Sequence, residues 1–146
     1  MWETGLIKIR DILGLPFIYD DGSKSPGFLK DVIIDINEKQ VKAFIAEKKG
    51  LRKIITTFGF DDIREIGAGA LIVKKHPVYE ENENKKYKEN GNANKKFSDI
   101  DNRKYEIKVY SRNGDDLGFV KDVFFNAQTG HIEAFELSDG LIDDII

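Results

Sequence analysis

Four cations, Lys48, Lys49, Arg52 and Lys53, crowd around Gly50. Such a group can hold phosphate oxygens and release condensed counterions, which is the chemistry of RNA binding. Against that reading, Glu47 stands beside the group and no aromatic residues interleave for base stacking. Residues 1–73 also carry equal numbers of basic and acidic groups, so a solvated strand end is the simpler account. The four remain the candidate macromolecule-binding residues. The acid pairs Asp20-Asp21 and Asp115-Asp116 lack the alternating oxygen ligands and distal glutamate of a calcium loop, and they read as turn chemistry. His76 and His131, the only histidines, have no metal-ligand spacing, and a chain without cysteine has neither thiolate ligand nor thiol nucleophile. Gly67-Ala68-Gly69 lacks the strand-to-helix context of a phosphate loop. No serine sits in a nucleophile motif. The expectation is a non-enzymatic protein with no catalytic residue, no cofactor and no metal.

The elements that must carry these residues occur twice. Gly27-Phe28-Leu29-Lys30-Asp31-Val32 returns as Gly118-Phe119-Val120-Lys121-Asp122-Val123, and Ala43-Phe44 returns as Ala134-Phe135, all at an offset of 91. The identities include glycine, lysine and aspartate, so shared apolar composition does not explain them. The recurrent residues Gly27, Lys30, Asp31, Gly118, Lys121 and Asp122 are expected to be structural. In a strand, neighbours face opposite sides, so lysine and aspartate cannot both enter the core, and one should bond a neighbouring strand or turn. The glycines suit tight backbone geometry.

Leu6 to Leu13 offers a short helical turn or irregular lead-in, stopped by Gly14 and Pro16. Strand character begins near Phe17. Phe28 to Ile36 is an apolar-rich strand that turns at Asn37-Glu38-Lys39-Gln40 into Val41 to Glu47. The second copy turns at Gln128-Thr129-Gly130-His131, where the glycine tolerates positive φ. Leu51 to Phe58 reads as a strand, Phe60-Asp61-Asp62-Ile63 as a capped turn and Ala70-Leu71-Ile72-Val73 as a closing strand. Glu80 to Asn102 shows no apolar periodicity and resembles a solvated linker. The second copy runs from Lys104, turns at Asn113-Gly114 and breaks at Ser138-Asp139-Gly140. Nothing in it corresponds to Thr56 through Val73, so it is expected to be C-terminally incomplete.

Many short strands at close spacing favour a closed or nearly closed barrel, which hides sheet edges. The fold class expected is all-β: a small antiparallel barrel at residues 1–77, a flexible polar linker at 78–103 and a second, partial barrel unit at 104–146. No apolar run approaches the ~20 residues of a membrane helix. The N-terminus lacks a secretory pattern, so a cytoplasmic location and no membrane span are expected. Charge is unevenly spread, at +3 over residues 74–108 and −6 over residues 109–146, which opposes phosphate binding by the last segment.

Both copies resemble the PRC-barrel family, named for the barrel of the photosynthetic reaction-centre H subunit and shared with a ribosome maturation factor. The resemblance rests on Gly14 to Phe17, on Gly27 to Val32, on Ala43-Phe44, on Phe60-Asp61-Asp62-Ile63 with Ile66-Gly67, and on Ala70 to Val73. Residues 104–146 match only the family's front portion, and their end, Ser138 to Asp144, resembles stand-alone bacterial members linked to sporulation. The resemblance implies a PRC-type β-barrel acting as a docking module for other macromolecules, and it carries over no catalytic residue. A protein partner is expected first, with RNA or ribosome assembly through the basic group as the alternative. A small-molecule sensor using a barrel cavity is a third class. Leu141, Ile142, Ile145 and Ile146 form an apolar end with no following strand, from which a homodimer through the incomplete second unit is expected.

Overall fold

The computed structural model describes residues 5–23, 25–74, 79–80, 94–102, 104, 106–138 and 140–142. The lead-in comprises strand β1 (Leu6–Lys8) and a single helical turn, α1 (Ile9–Ile12), ahead of the turn at Gly14. Strands β2 (Phe17–Tyr19), β3 (Phe28–Asp35), β4 (Gln40–Lys48) and β5 (Ile54–Gly59) follow. A 3-10 turn, Phe60–Asp62, is capped by Asp62 Oδ2, which accepts the Gly59 N–H at 3.0 Å. Strands β6 (Ile63–Ile66) and β7 (Leu71–Val73) end the first unit. The rest comprises β8 (Tyr79–Glu80), β9 (Asn94–Lys96), helix α2 (Phe97–Asp101), β10 (Lys108–Tyr110), β11 (Asp116–Asn126), β12 (Ile132–Leu137) and β13 (Gly140–Ile142).

The chain is predominantly β, arranged as three sheets: β8-β5-β4-β3-β9, then β2-β7-β6, and β1-β11-β12-β13 with β10 also on β11. One pairing departs from the antiparallel expectation. Strands β2 and β7 run parallel, with Phe17 opposite Leu71. Parallel neighbours need a long connection, and the whole β3–β6 excursion supplies it.

The two copies share their irregularities. Leu29 pairs with Ala46 and Asp31 with Ile45, so Lys30 is the extra residue of a bulge; Val120, Asp122 and Lys121 repeat the arrangement on β12. A second bulge falls at Lys42 and again at Glu133. Each bulge shifts the side-chain alternation by one. That is why Phe44, Ala46 and Val41 all reach the same core although they do not alternate strictly. Ile33, Ala43 and Ile45 occupy the opposite face and are also buried, so the central hairpin is covered on both sides.

The segment read as a linker, residues 78–103, is corrected where it is described. Strand β8 pairs with β5, β9 pairs with β3, and α2 buries Phe97 and Ile100 in the main core. Two apolar residues in one short turn, preceded by two lysines, are too few to register as periodicity. Residues 81–93 lie outside the described residues.

The lead-ins also cross over. Strand β1 pairs with β11 of the second unit, Ile7 opposite Phe125 and Lys8 opposite Phe124, while β9 pairs with β3 of the first unit, Lys95 opposite Ile34 and Lys96 opposite Ile33. Under the repeat offset of 91, Phe125 and Phe124 correspond to Ile34 and Ile33, so the two pairings are equivalent. At the hairpin tips Val41 N–H donates to Gly130 O and Ile132 N–H donates to Lys39 O, each at 2.8 Å, which is again one bond and its repeat counterpart. Such reciprocity is the pattern of a two-fold homodimer contact, made here within one chain. One apolar core runs through both units, from Ile7 and Phe17 to Phe125 and Leu137.

Candidate docking surface

The recurrent Lys-Asp pair is assigned by this exchange. Bulging at Lys30 leaves Asp31 pointing at α2, where its carboxylate accepts the backbone N–H of Ser98 at 3.0 Å and the Ser98 hydroxyl. Bulging at Lys121 leaves Asp122 pointing at α1, where it accepts the backbone N–H of Arg10 at 3.3 Å. Each aspartate also accepts the N–H of the residue after it, Val32 at 2.9 Å and Val123 at 2.7 Å. Each copy therefore uses its aspartate to hold the other copy's lead-in. Arg10 completes the seam: its guanidinium lies 2.7 Å from Asp101 and 3.5 Å from Asp122, donates to Lys121 O at 2.9 Å and covers the Phe97 ring. The hydrogen bond to Asp101 raises the Arg10 pKa further, so it stays charged. Burial pushes the Asp122 carboxyl up, against the two backbone N–H groups and Arg10, which favour its ionised form. Of the recurrent residues, Lys30 and Lys121 form the bulges, and Asp31 and Asp122 make the contacts across the seam.

Sequence reasoning missed Arg10 and Ser98 as the partners. The signal was present: Ile9-Arg10-Asp11-Ile12 and Phe97-Ser98-Asp99-Ile100 share Asp-Ile at an offset of 88. That value differs from 91, so the body alignment does not reach it.

The open surface lies at the other end of β3. A groove of about 720 Å³ is formed between the Gly14-to-Pro16 turn, the start of β3 and the end of β4. Its backbone is tightly tied. Phe17 N–H donates to Gly27 O at 2.8 Å, Leu29 N–H to Leu15 O at 2.8 Å, and Gly27 N–H to Ser25 Oγ at 3.0 Å. Gly27 has φ +129° and lies so close to β4 that a Cβ would overlap the Glu47 carbonyl. Phe28 projects from this wall with 58% of its surface exposed, and Leu51 is fully exposed on the neighbouring turn. Sequence reasoning did not single out Phe28, whose recurrence as Phe119 reads equally well as a core position.

Of the basic group, Lys48 and Lys49 line the groove, whereas Arg52 and Lys53 stand exposed on the turn between β4 and β5 and are not part of the lining. Lys30 lines it too and lies 3.7 Å from the buried carboxylate of Glu47. The corresponding mouth of the second unit is built differently. Lys108 and Asp116 form an ion pair at 2.9 Å that raises the lysine pKa and lowers that of the aspartate, and Ser138 Oγ accepts the Phe119 N–H at 3.1 Å. Asp116 Oδ1 takes over the Ser25 role, accepting Gly118 N–H at 2.9 Å.

The acid pairs serve turns: Asp21 accepts Ser23 N–H at 2.9 Å, and Asp20 lies 3.9 Å from Arg64. His131 belongs to the seam, bridging Gln40 through the backbone, and His76 lies outside the described residues. Among the described residues no three His, Cys, Asp or Glu side chains gather as a metal site, and no helix is long and apolar enough to cross a membrane. With the strands, bulges and groove in place, the family comparison is direct. Residues 105–145 match the model of the PRC-barrel domain, so the second unit carries the family's pattern on its own sequence. The mostly β architecture is consistent with an all-β PRC-type fold. No curated protein matches the chain.

Proposed function

We propose that this protein is a non-enzymatic docking module whose partner is another protein, bound at the groove beside Phe28. One observation carries the reading: a preformed, mainly apolar-walled groove with a large aromatic side chain held out into solvent by a rigid backbone. Interfaces centre on apolar and aromatic side chains with a polar rim, which is the make-up of this groove. An aromatic anchor of this kind supplies much of the contact energy in recognition.

A random-peptide display selection on the folded protein tests the reading. It expects enriched peptides whose binding disappears in Phe28→Ser, a substitution at an exposed position. If nothing enriches, or if binders ignore that substitution, the reading fails. Ribosome-assembly or RNA binding is the second reading, favoured by the gathering of Lys48, Lys49, Arg52 and Lys53 at one strand end and turn. It expects RNA affinity that falls steeply with salt and drops when the four are changed to glutamine. Self-association through the outer edge of β13 would present two grooves in one particle. A dimeric mass by sedimentation at tens of micromolar supports it, and a monomeric mass removes it.

A further inference from the structure

Resting on the docking reading, we propose that the groove takes an acidic peptide segment with an aliphatic or aromatic anchor, one segment per chain. The groove pairs an apolar floor with a cationic rim. Pro16 and the projecting Phe28 give the groove its apolar surface, Leu29 lies almost wholly buried behind them, and Leu51 is exposed on the turn after β4. The rim is Lys30, Lys48 and Lys49, with exposed Arg52 and Lys53 following. Glu47 is the one carboxylate among the lining residues, and it is buried and already faced by Lys30. The local field is therefore positive, and an occupant that complements it is negative at the rim and apolar at the centre.

Three features select a short acidic segment over a nucleic acid. Residues 1–73 are electrically balanced overall, a poor electrostatic footprint for a polyanion. A single aromatic side chain stands in the groove, where single-strand binding uses several in series. The groove is confined to about 720 Å³ between one turn and two strand ends, a local site and not a track along the surface. The tied backbone at Gly27 means that the walls need little ordering on binding, which favours affinity for a flexible ligand. Among the described residues of the second unit, the Lys108–Asp116 pair neutralises the corresponding mouth, and in the sequence Ser138-Asp139-Gly140 stands where the first unit has Glu47-Lys48-Lys49.

Fluorescence anisotropy at low salt with four labelled probes decides it. The probes are an Asp/Glu-rich peptide carrying Leu and Phe, the same peptide with its acids replaced by Lys, the same peptide with Leu and Phe replaced by Ser, and a single-stranded RNA. The first should bind one-to-one and at least about tenfold more tightly than the others. Phe28→Ser and the combined Lys49→Glu, Arg52→Glu, Lys53→Glu variant should each weaken it at least about tenfold. Unchanged circular dichroism and melting of both variants would show that the loss is local. Equal binding of the lysine or serine peptide, tighter binding of RNA, binding indifferent to either variant, or no binding of the first probe at millimolar concentration overturns the proposal. Should display selection yield Phe28-dependent peptides that are uncharged, the docking reading stands and the acidic specificity falls.

Discussion

At the residue scale, the two aspartates carry the most weight per atom. Removing a buried acceptor leaves its donors without partners, at a cost of about 1–3 kcal/mol. Asp31→Ala strands Ser98 and Val32 N–H, and Asp122→Ala strands Arg10 and Val123 N–H. Urea denaturation should show losses of that order for each. Asp122 adds a pH signature. Because burial raises its pKa in the folded state, its contribution to stability is full below the unfolded carboxylate value and is lost as pH rises through the folded one. Asp122→Asn abolishes that titration, so the variant should gain on the wild type as pH rises from acid toward neutral. Stability curves at several pH values check this, and a constant difference contradicts it. Glycine makes a second residue-scale contrast. Gly27→Ala meets both a left-handed φ and the Glu47 carbonyl, and should cost about 1–3 kcal/mol or more. Gly14→Ala, at φ +90° with nothing within 4 Å of a Cβ, should cost about 1 kcal/mol. Thermal melts of the pair separate close approach from backbone strain.

At the element scale, the exchanged lead-ins govern behaviour. Strand β1 and helix α1 follow one another at the start of the chain, yet their partner is β11. Truncating Ile12, fully buried in the shared core, should destabilise by about 2–5 kcal/mol. The local consequence should appear far away in sequence. Hydrogen exchange in Ile12→Ala should accelerate in residues 120–126 of β11 at least as much as in β4 and β5. Acceleration confined to the first unit would show that the lead-in does not hold the second. The same logic explains Lys30 and Lys121: their bulges turn the following aspartate toward the visiting lead-in, which an unbulged strand of the same sequence would not do.

At the scale of the whole molecule, crossed strands and a continuous core make two repeats one folding unit. Calorimetry should show a single transition with calorimetric and van't Hoff enthalpies in agreement. Two separable transitions would restore the picture of two units on a flexible tether. The groove lies away from the seam, on the backbone around Gly27. Mutations that weaken docking at Phe28 should therefore leave the melting transition in place.

The β character, the duplication, the turns and the capped 3-10 turn were legible in the sequence, because strand periodicity, turn residues and repeated identities are local properties of neighbouring side chains. The family resemblance was legible for the same reason, and the match at residues 105–145 bears it out on the second unit. Pairing between β1 and β11 or β9 and β3 was not legible, since strand partners are chosen by which edges remain open after the hairpins form. Short lead-ins such as Leu6–Lys8 and Asn94–Lys96 carry no pattern that names an edge. Burial is decided the same way. The recurrent Lys-Asp pair announces that one member bonds a neighbouring element, but only the bulges decide that it is the aspartate and that the element is the other copy's lead-in, and Phe28 is left outside because strand alternation gives the inward position to Leu29. Local chemistry determined which elements this chain makes. Only tertiary structure, through competition for edges and for the shared core, decided which copy each element serves and which aromatic side chain faces solvent.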